Sequence, residues 1–332
     1  MRTRVLSGVA VVAAAAAAAL IAVHPGIRNT SATADAVQPP TAVTPSRTAP
    51  PPPTPVYFGL FQSSNDLQYS FPVTPKYAVQ YYGWPEVFQT ADVQAAWNEG
   101  TESFLELQTC GDPCDDATST PLTDVVNGDY DSYLTTFADA INAFGHPVLL
   151  TFDHEMNGKS GYPWNVSNEG ASTGVTPQLW IEAWDHVTSL ISSIAGQYVT
   201  WVWAPDVESY ADSFAPYWPG TADGPGENVG IVGLDGYLGA NATWADTIAG
   251  SVTAIEQLSD DLYPFAITET GVDPSDSNAT DQITDLVTNV RSAGGFVIYF
   301  DSGNWVMTSA MQSTFIQDAD PSPTPARTPP AG

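Results

Sequence analysis

Basic side chains are what this 332-residue chain most lacks: 8 Lys and Arg stand against 37 Asp and Glu, a formal charge of −29. Only Lys76, Lys159 and Arg291 of the eight fall between Val56 and Asp318. Such a surface repels nucleic acid and anionic lipid, whose binding rests on neutralising phosphates. It is equally unsuited to a polyanionic glycan, so no nucleic-acid partner is expected and an uncharged partner fits. Cysteine is nearly absent, with Cys110 and Cys114 alone, in Cys-Gly-Asp-Pro-Cys. A zinc site there would need two more ligands nearby. The four histidines are scattered: His24 precedes the domain, and His146, His154 and His186 lie far apart in sequence. No metal is therefore expected, and in an exported chain the two cysteines read as a disulfide. Phosphate loops, dinucleotide fingerprints and heptad runs are also missing, so no cofactor is expected.

The ends of the chain differ from its middle. Arg2 and Arg4 precede an apolar stretch, Val5 to Val23, that holds seven consecutive alanines. A basic start followed by an apolar run is an export signal, and Ala34-Asp35-Ala36 offers a small-x-small cleavage site. The run is also close to the roughly 20 residues that span a bilayer, so an uncleaved anchor at residues 5–23 is the alternative. Gln38 to Pro55 carries eight prolines and reads as an extended spacer. The expected organisation is a signal peptide or anchor at 1–36, a Pro/Thr-rich linker at 37–55, one domain at 56–318 and a Pro-rich tail at 319–332. The protein is expected to be secreted and monomeric.

Within the domain, short apolar runs alternate with segments of helical spacing. Strands are expected at 56–61, 77–82, 101–108, 147–152, 199–204, 229–234, 264–268 and 295–300. Helical patterns occupy 91–98, 130–143, 177–194, 244–258 and 276–292, with Thr176 as N-cap and Pro177 in the first turn of the third. Trp180 on that helix reads as core. Eight strands alternating with helices argue for parallel pairing through right-handed crossovers, hence an α/β fold of the (β/α)8 TIM-barrel type with a single catalytic domain.

The chemistry collects at strand ends. His154-Glu155-Met156-Asn157-Gly158 follows the fourth strand and Glu269-Thr270-Gly271 follows the seventh. In a (β/α)8 barrel the carboxyl ends of the strands form the catalytic rim. Two glutamates there suggest a pair facing one cleft, and paired carboxylates are what glycosidases use: one acid protonates the leaving oxygen and a second carboxylate attacks the anomeric carbon or activates water. Sugar faces stack on aromatic rings, and Trp84, Trp164, Trp203 and Trp305 all lie near strand ends.

Taken in order, His-Glu-Met-Asn-Gly at 154–158, Tyr-Pro-Trp at 162–164, Trp-Val-Trp-Ala-Pro-Asp at 201–206, Tyr-Trp-Pro-Gly at 217–220, Gly-Leu-Asp-Gly-Tyr at 233–237 and Thr-Glu-Thr-Gly at 268–271 resemble glycoside hydrolase family 26, the β-mannanase family of the retaining (β/α)8 clan. The resemblance covers essentially 56–318. It implies that Glu155 is the general acid/base and Glu269 the nucleophile, that His154 lines the reacting-sugar subsite, that Tyr237 hydrogen-bonds the nucleophile, and that Trp305 is a sugar platform. Two positions depart from it. Thr151 stands where the family usually has Arg, and Ser160 where its mannanases often have Trp, in a loop one residue longer. The implied activity is an exported retaining endo-β-glycanase, an endo-1,4-β-mannanase acting on neutral polysaccharide. The alternatives are a β-1,3/1,4-glucanase or xylanase of the same fold and a non-catalytic glycan-binding protein, which would not need an acid pair.

Overall fold

A computed structural model describes residues 55–62, 70–111, 114–115, 117–159, 161–166, 174–220, 226 and 228–319. The expected leader, the linker up to residue 54 and the tail beyond Ala319 lie outside them, as does Ser160. Eight strands are present: β1 Phe58–Gln62, β2 Tyr77–Gly83, β3 Glu102–Gln108, β4 Val148–Phe152, β5 Val199–Trp203, β6 Ile231–Asp235, β7 Phe265–Thr270 and β8 Phe296–Asp301. Each pairs in parallel with its sequence neighbour, and β8 returns to β1 through Phe58↔Val297 to Gln62↔Asp301, so the barrel is closed. The helices are α1 Thr90–Glu99, α2 Leu122–Val126, α3 Asp131–Phe144, α4 Pro177–Ala195, α5 Trp244–Thr247, α6 Ala249–Leu258, α7 Ala279–Ser292 and α8 Ser309–Ala319. The expected helix at 244–258 is divided at Ile248, and α2 and α8 were not anticipated. Helix α8 carries the domain one residue past the expected boundary, and Val56 N–H donates to Ala319 C=O at 2.9 Å, tying the start of the barrel to its end.

Side chains alternate along each strand between the barrel interior and the helical shell. The interior layer holds Phe61, Val79, Phe104, Leu149, Val202, Ile231, Ala266, Phe296 and Ile298. The outer layer, between strands and helices, is the larger core and takes most of the tryptophans. Helix α4 shows how sequence makes this packing. Thr176 Oγ1 accepts from Leu179 N–H at 3.1 Å, Pro177 fills the first turn, and Trp180 and Trp184 pack with their centroids 5.5 Å apart against the shell side of the sheet. The expected core role of Trp180 holds.

The regular alternation fails in one region. Register shifts fall between Leu234 and Asp235 on β6 and between Ile267 and Thr270 on β7, so that Glu269, not Thr268, pairs with Asp235. Such irregularities re-aim side chains beside functional sites. Thr268 instead turns its hydroxyl to Asp235 Oδ1 at 2.7 Å. Gly233 leaves the room: a Cβ there would come within 2.5 Å of Thr268 Oγ1.

Candidate active site

Glu269 belongs to β7 itself, one strand position deeper than expected, and the register shift brings it into the barrel mouth. Its two carboxylate oxygens are held separately: Tyr237 Oη donates to Oε1 and Tyr81 Oη, reaching across from β2, donates to Oε2. Burial pushes its pKa up, and the two tyrosine hydrogen bonds pull it back.

Glu155 sits on the loop after β4 in a left-handed conformation (φ 49°), as does Asp153 (φ 43°). That region is costly for residues with side chains and persists only where the surroundings over-determine it. Here they do. Glu155 N–H donates to Ala204 C=O at 2.8 Å, and its carbonyl accepts from Asn165 Nδ2 and Gly158 N–H, each at 2.8 Å. Asn157 braces the same loop against the one after β5: its Nδ2 donates to the carbonyls of Asp206 (2.9 Å) and Asp212 (2.7 Å), and its Oδ1 accepts from Asp206 N–H (2.8 Å). Both glutamates are largely buried, with 7% and 8% of their surface exposed, which leaves each an edge toward solvent.

Three of the four proposed tryptophan platforms need correction. Trp203 is fully buried in the outer layer, its Nε1 donating to Tyr217 C=O at 3.2 Å and its ring meeting Trp218 and Phe214 edge-on. Trp84 packs among Tyr130, Tyr133 and Phe152. Trp164 donates from Nε1 to His154 C=O at 2.7 Å, and Tyr162 stacks on it with centroids 4.6 Å apart. A ring enclosed on both faces cannot also receive a sugar. Trp305 is half-buried, its ring 4.7 Å from that of Tyr237. Gly271 explains itself here, because a Cβ would meet Trp305 at 2.7 Å.

His154 is buried, and desolvation takes its pKa down to about 3, so it is a neutral imidazole. Its Nδ1 lies 3.0 Å from Oε2 of Glu106, a buried residue of β3 that the sequence reading passed over. Burial, then the charges of Glu269 and Glu155, push the Glu106 carboxyl well above the usual range. Asp235 is raised for similar reasons. Asp206 is pushed up to about 7 by burial, even though Tyr210 donates a hydrogen bond to it. Thr151 stands beside Glu106 in the β3–β4 register, buried, its hydroxyl without a hydrogen-bond partner. The three basic residues are engaged elsewhere: Lys76 with Glu102, Lys159 with Asp212 at 2.9 Å, and Arg291 with the carbonyl of Asp318. The mouth is thus acidic and aromatic, with Tyr81, Tyr162, Tyr210, Tyr237 and Trp305 around the carboxylates.

Glu106, Tyr81 and Tyr162 were missed. A sequence signal existed for Glu106, since it is a carboxylate inside an apolar strand with the same parity as Phe104, which faces the interior. Cys110 and Cys114 are bonded to one another, in the loop that follows β3.

No protein-family model matches the chain. The structure shares its closed barrel fold with several solved proteins. A Bacillus subtilis mannanase superposes with a TM-score of 0.57 over 81% of this chain and 86% of that one, at 19% identity. A family 26 β-mannanase from Bacteroides ovatus gives 0.56 at 14% identity, over 80% and 88%. The family 26 domain of a Prevotella bryantii endo-β-mannanase/endo-β-glucanase gives 0.55 at 12%, over 80% and 90%. By sequence, the chain is 29% identical over 125 residues to endoglucanase H of Acetivibrio thermocellus; that stretch covers 36% of this chain and 13% of that enzyme.

Proposed function

We propose that the protein is a retaining endo-β-glycanase, an endo-1,4-β-mannanase that cleaves neutral mannan-type polysaccharide by double displacement, secreted and acting as a monomer. The observation that carries the reading is the strand-end carboxylate pair in which both oxygens of Glu269 are held by hydroxyl donors. Two donors favour the ionised form and fix its direction, as a nucleophile requires. Glu269 attacks the anomeric carbon while Glu155 protonates the departing glycosidic oxygen. Formation of the glycosyl-enzyme removes the charge on Glu269, so Glu155 is then free to take a proton from the water that releases the sugar. His154, neutral and at the mouth, serves the reacting sugar as a hydrogen-bonding group. Tyr162 supplies an aromatic ring beside His154: it lies flat on Trp164 and meets the His154 ring edge-on at 5.2 Å. Trp305 and Tyr237 form a second aromatic surface. The absence of an uncommitted cation among the described residues supports an uncharged polymer.

The test is a reducing-sugar screen on mannan, glucomannan, lichenan and xylan with the wild type, Glu269→Ala and Glu155→Ala. Glu269→Ala should lose nearly all turnover and regain it in azide with inverted product. Glu155→Ala should keep activity on activated aryl glycosides, which barely need an acid. Near-wild-type polymer hydrolysis by either variant would end the assignment. A β-1,3/1,4-glucanase is the second reading, favoured by the match to an endoglucanase, and a clear preference for lichenan would select it. Export is tested by sequencing the N-terminus of protein recovered from culture medium: a start at Val37 supports cleavage after Ala36.

A further inference from the structure

Glu106 takes no part in the two displacements, yet it stands among the residues that do. We propose that Glu106, His154 and Glu269 form a binding site for one divalent transition-metal ion of the Zn²⁺ class, and that its occupancy shuts the cleft to substrate. One ligand atom from each residue lies within 4.8 Å of the other two. The three come from β3, the loop after β4 and β7, so they converge from separate walls of the barrel mouth.

The polar atoms there are short of partners. His154 Nδ1 and Nε2 and Glu106 Oε2 are all buried without a hydrogen bond; Nδ1 and Oε2 stand 3.0 Å apart without bonding geometry. Buried polar atoms in a folded protein are normally satisfied, so these call for a ligand. Each oxygen of Glu269 accepts one tyrosine hydroxyl, which leaves a lone pair free on each. The backbone of His154 is fixed by Trp164, and Tyr81, Tyr162 and Trp164 pack around its ring.

One imidazole and two carboxylates suit zinc, which accepts mixed nitrogen and oxygen ligands and leaves a fourth position for water. Magnesium demands near-octahedral oxygen coordination, which this set does not offer. Bonds of about 2.1 Å imply ligand separations of roughly 3.4 Å in a tetrahedral site. The widest separation in the cluster would therefore shorten by up to about 1.4 Å, while His154 Nδ1 and Glu106 Oε2, 3.0 Å apart, are already close enough. Three further carboxyl groups, Glu155, Asp206 and Asp235, stand around the site, and the three basic residues are paired elsewhere. An ion on Glu269 would occupy the direction from which the nucleophile meets a sugar. The inhibitory half rests on the glycanase reading; the binding half does not.

The experiment is calorimetric titration of the EDTA-treated, dialysed protein with ZnCl₂ in a weakly chelating buffer, with MgCl₂ as control, alongside polymer hydrolysis. One saturable Zn²⁺ site per chain is expected, with no magnesium counterpart, and at least a tenfold weaker fit in Glu106→Gln and in His154→Gln. Circular dichroism establishes which variants are folded, and Glu269→Gln supplies a third ligand deletion. Hydrolysis should fall with the same midpoint as binding and recover with EDTA or excess substrate. Absence of a saturable site, or one unchanged in the folded variants, would overturn the proposal by moving the ion to the acidic surface. Binding without effect on hydrolysis would overturn the inhibitory half. Saturable binding in a protein that cleaves no glycan would support the site and defeat the enzymatic reading instead.

Discussion

Removing one hydroxyl from Glu269 separates an ionising role for the tyrosines from an orienting one. In Tyr237→Phe the ring and its contact with Trp305 remain, and only the donor to Oε1 is lost. A hydrogen bond to a charged group contributes about 1.5–3 kcal/mol, so losing it raises the Glu269 pKa further. The direction follows from its surroundings: burial already raises this carboxyl, and the tyrosines are what lower it. As the proposed nucleophile, Glu269 works only when ionised, so the acid limb of the kcat/KM profile should move to higher pH. Below both limbs the variant should be slower by about 10- to 100-fold, the rate equivalent of that hydrogen-bond energy at 1.36 kcal/mol per tenfold. Well above both limbs the two enzymes should converge. Tyr81→Phe should act the same way through Oε2. The assay is kcat/KM on an activated aryl glycoside from pH 3 to 9, with EDTA-treated protein, so that leaving-group protonation does not limit the rate. A loss of equal size at every pH would refute the reasoning, because it would mean that the hydroxyls aim the carboxylate without controlling its charge.

Other perturbations address stability and substrate grip. Burial takes Asp153 up to about 8 from 3.8, against two hydrogen bonds from Thr109. Its stabilising contribution is therefore complete below about pH 4 and is lost as pH rises toward 8. At about 1.4 kcal/mol per unit this removes at most about 4 kcal/mol by pH 7, so Asp153→Asn should match the wild-type Tm near pH 4 and exceed it at pH 7; parallel Tm curves would contradict this. His154 runs oppositely, its contribution present above about pH 6.5 and lost as pH falls through about 3. Tyr162→Ala should lower kcat/KM on short oligosaccharides by the equivalent of about 1–3 kcal/mol of aromatic contact, and an unchanged value would remove Tyr162 from the sugar site. The Cys110–Cys114 link closes a loop with a sequence separation of 4, at the small end of disulfide effects. Thiol titration of the unfolded, unreduced protein should find none free, and Cys110→Ser with Cys114→Ser should lower Tm only slightly.

The barrel was legible because its strands are short apolar runs punctuated by turn residues, and because two glutamates followed such runs. The aromatic site was not, and strand parity explains why. On β5, Val202 faces the interior, so Trp203 must face the helices; nearness to a strand end says nothing about face. The same rule would have dismissed Glu269. Ala266 faces the interior, which sends position 269 outward in a regular strand, and only the register shift reverses it. Glu106 follows parity and was hidden by its apolar neighbours. Tyr81 was hidden because its partner lies 188 residues away.

Trp305 rests on the bare backbone of Gly271, two residues beyond Glu269, while its ring abuts Tyr237, which holds Glu269. On the proposed roles, the aromatic surface for the sugar and the grip on the carboxylate thus share one contact. Enlarging position 271 or replacing Trp305 therefore disturbs both at once, so under that reading specificity and reactivity cannot be varied independently through this tryptophan.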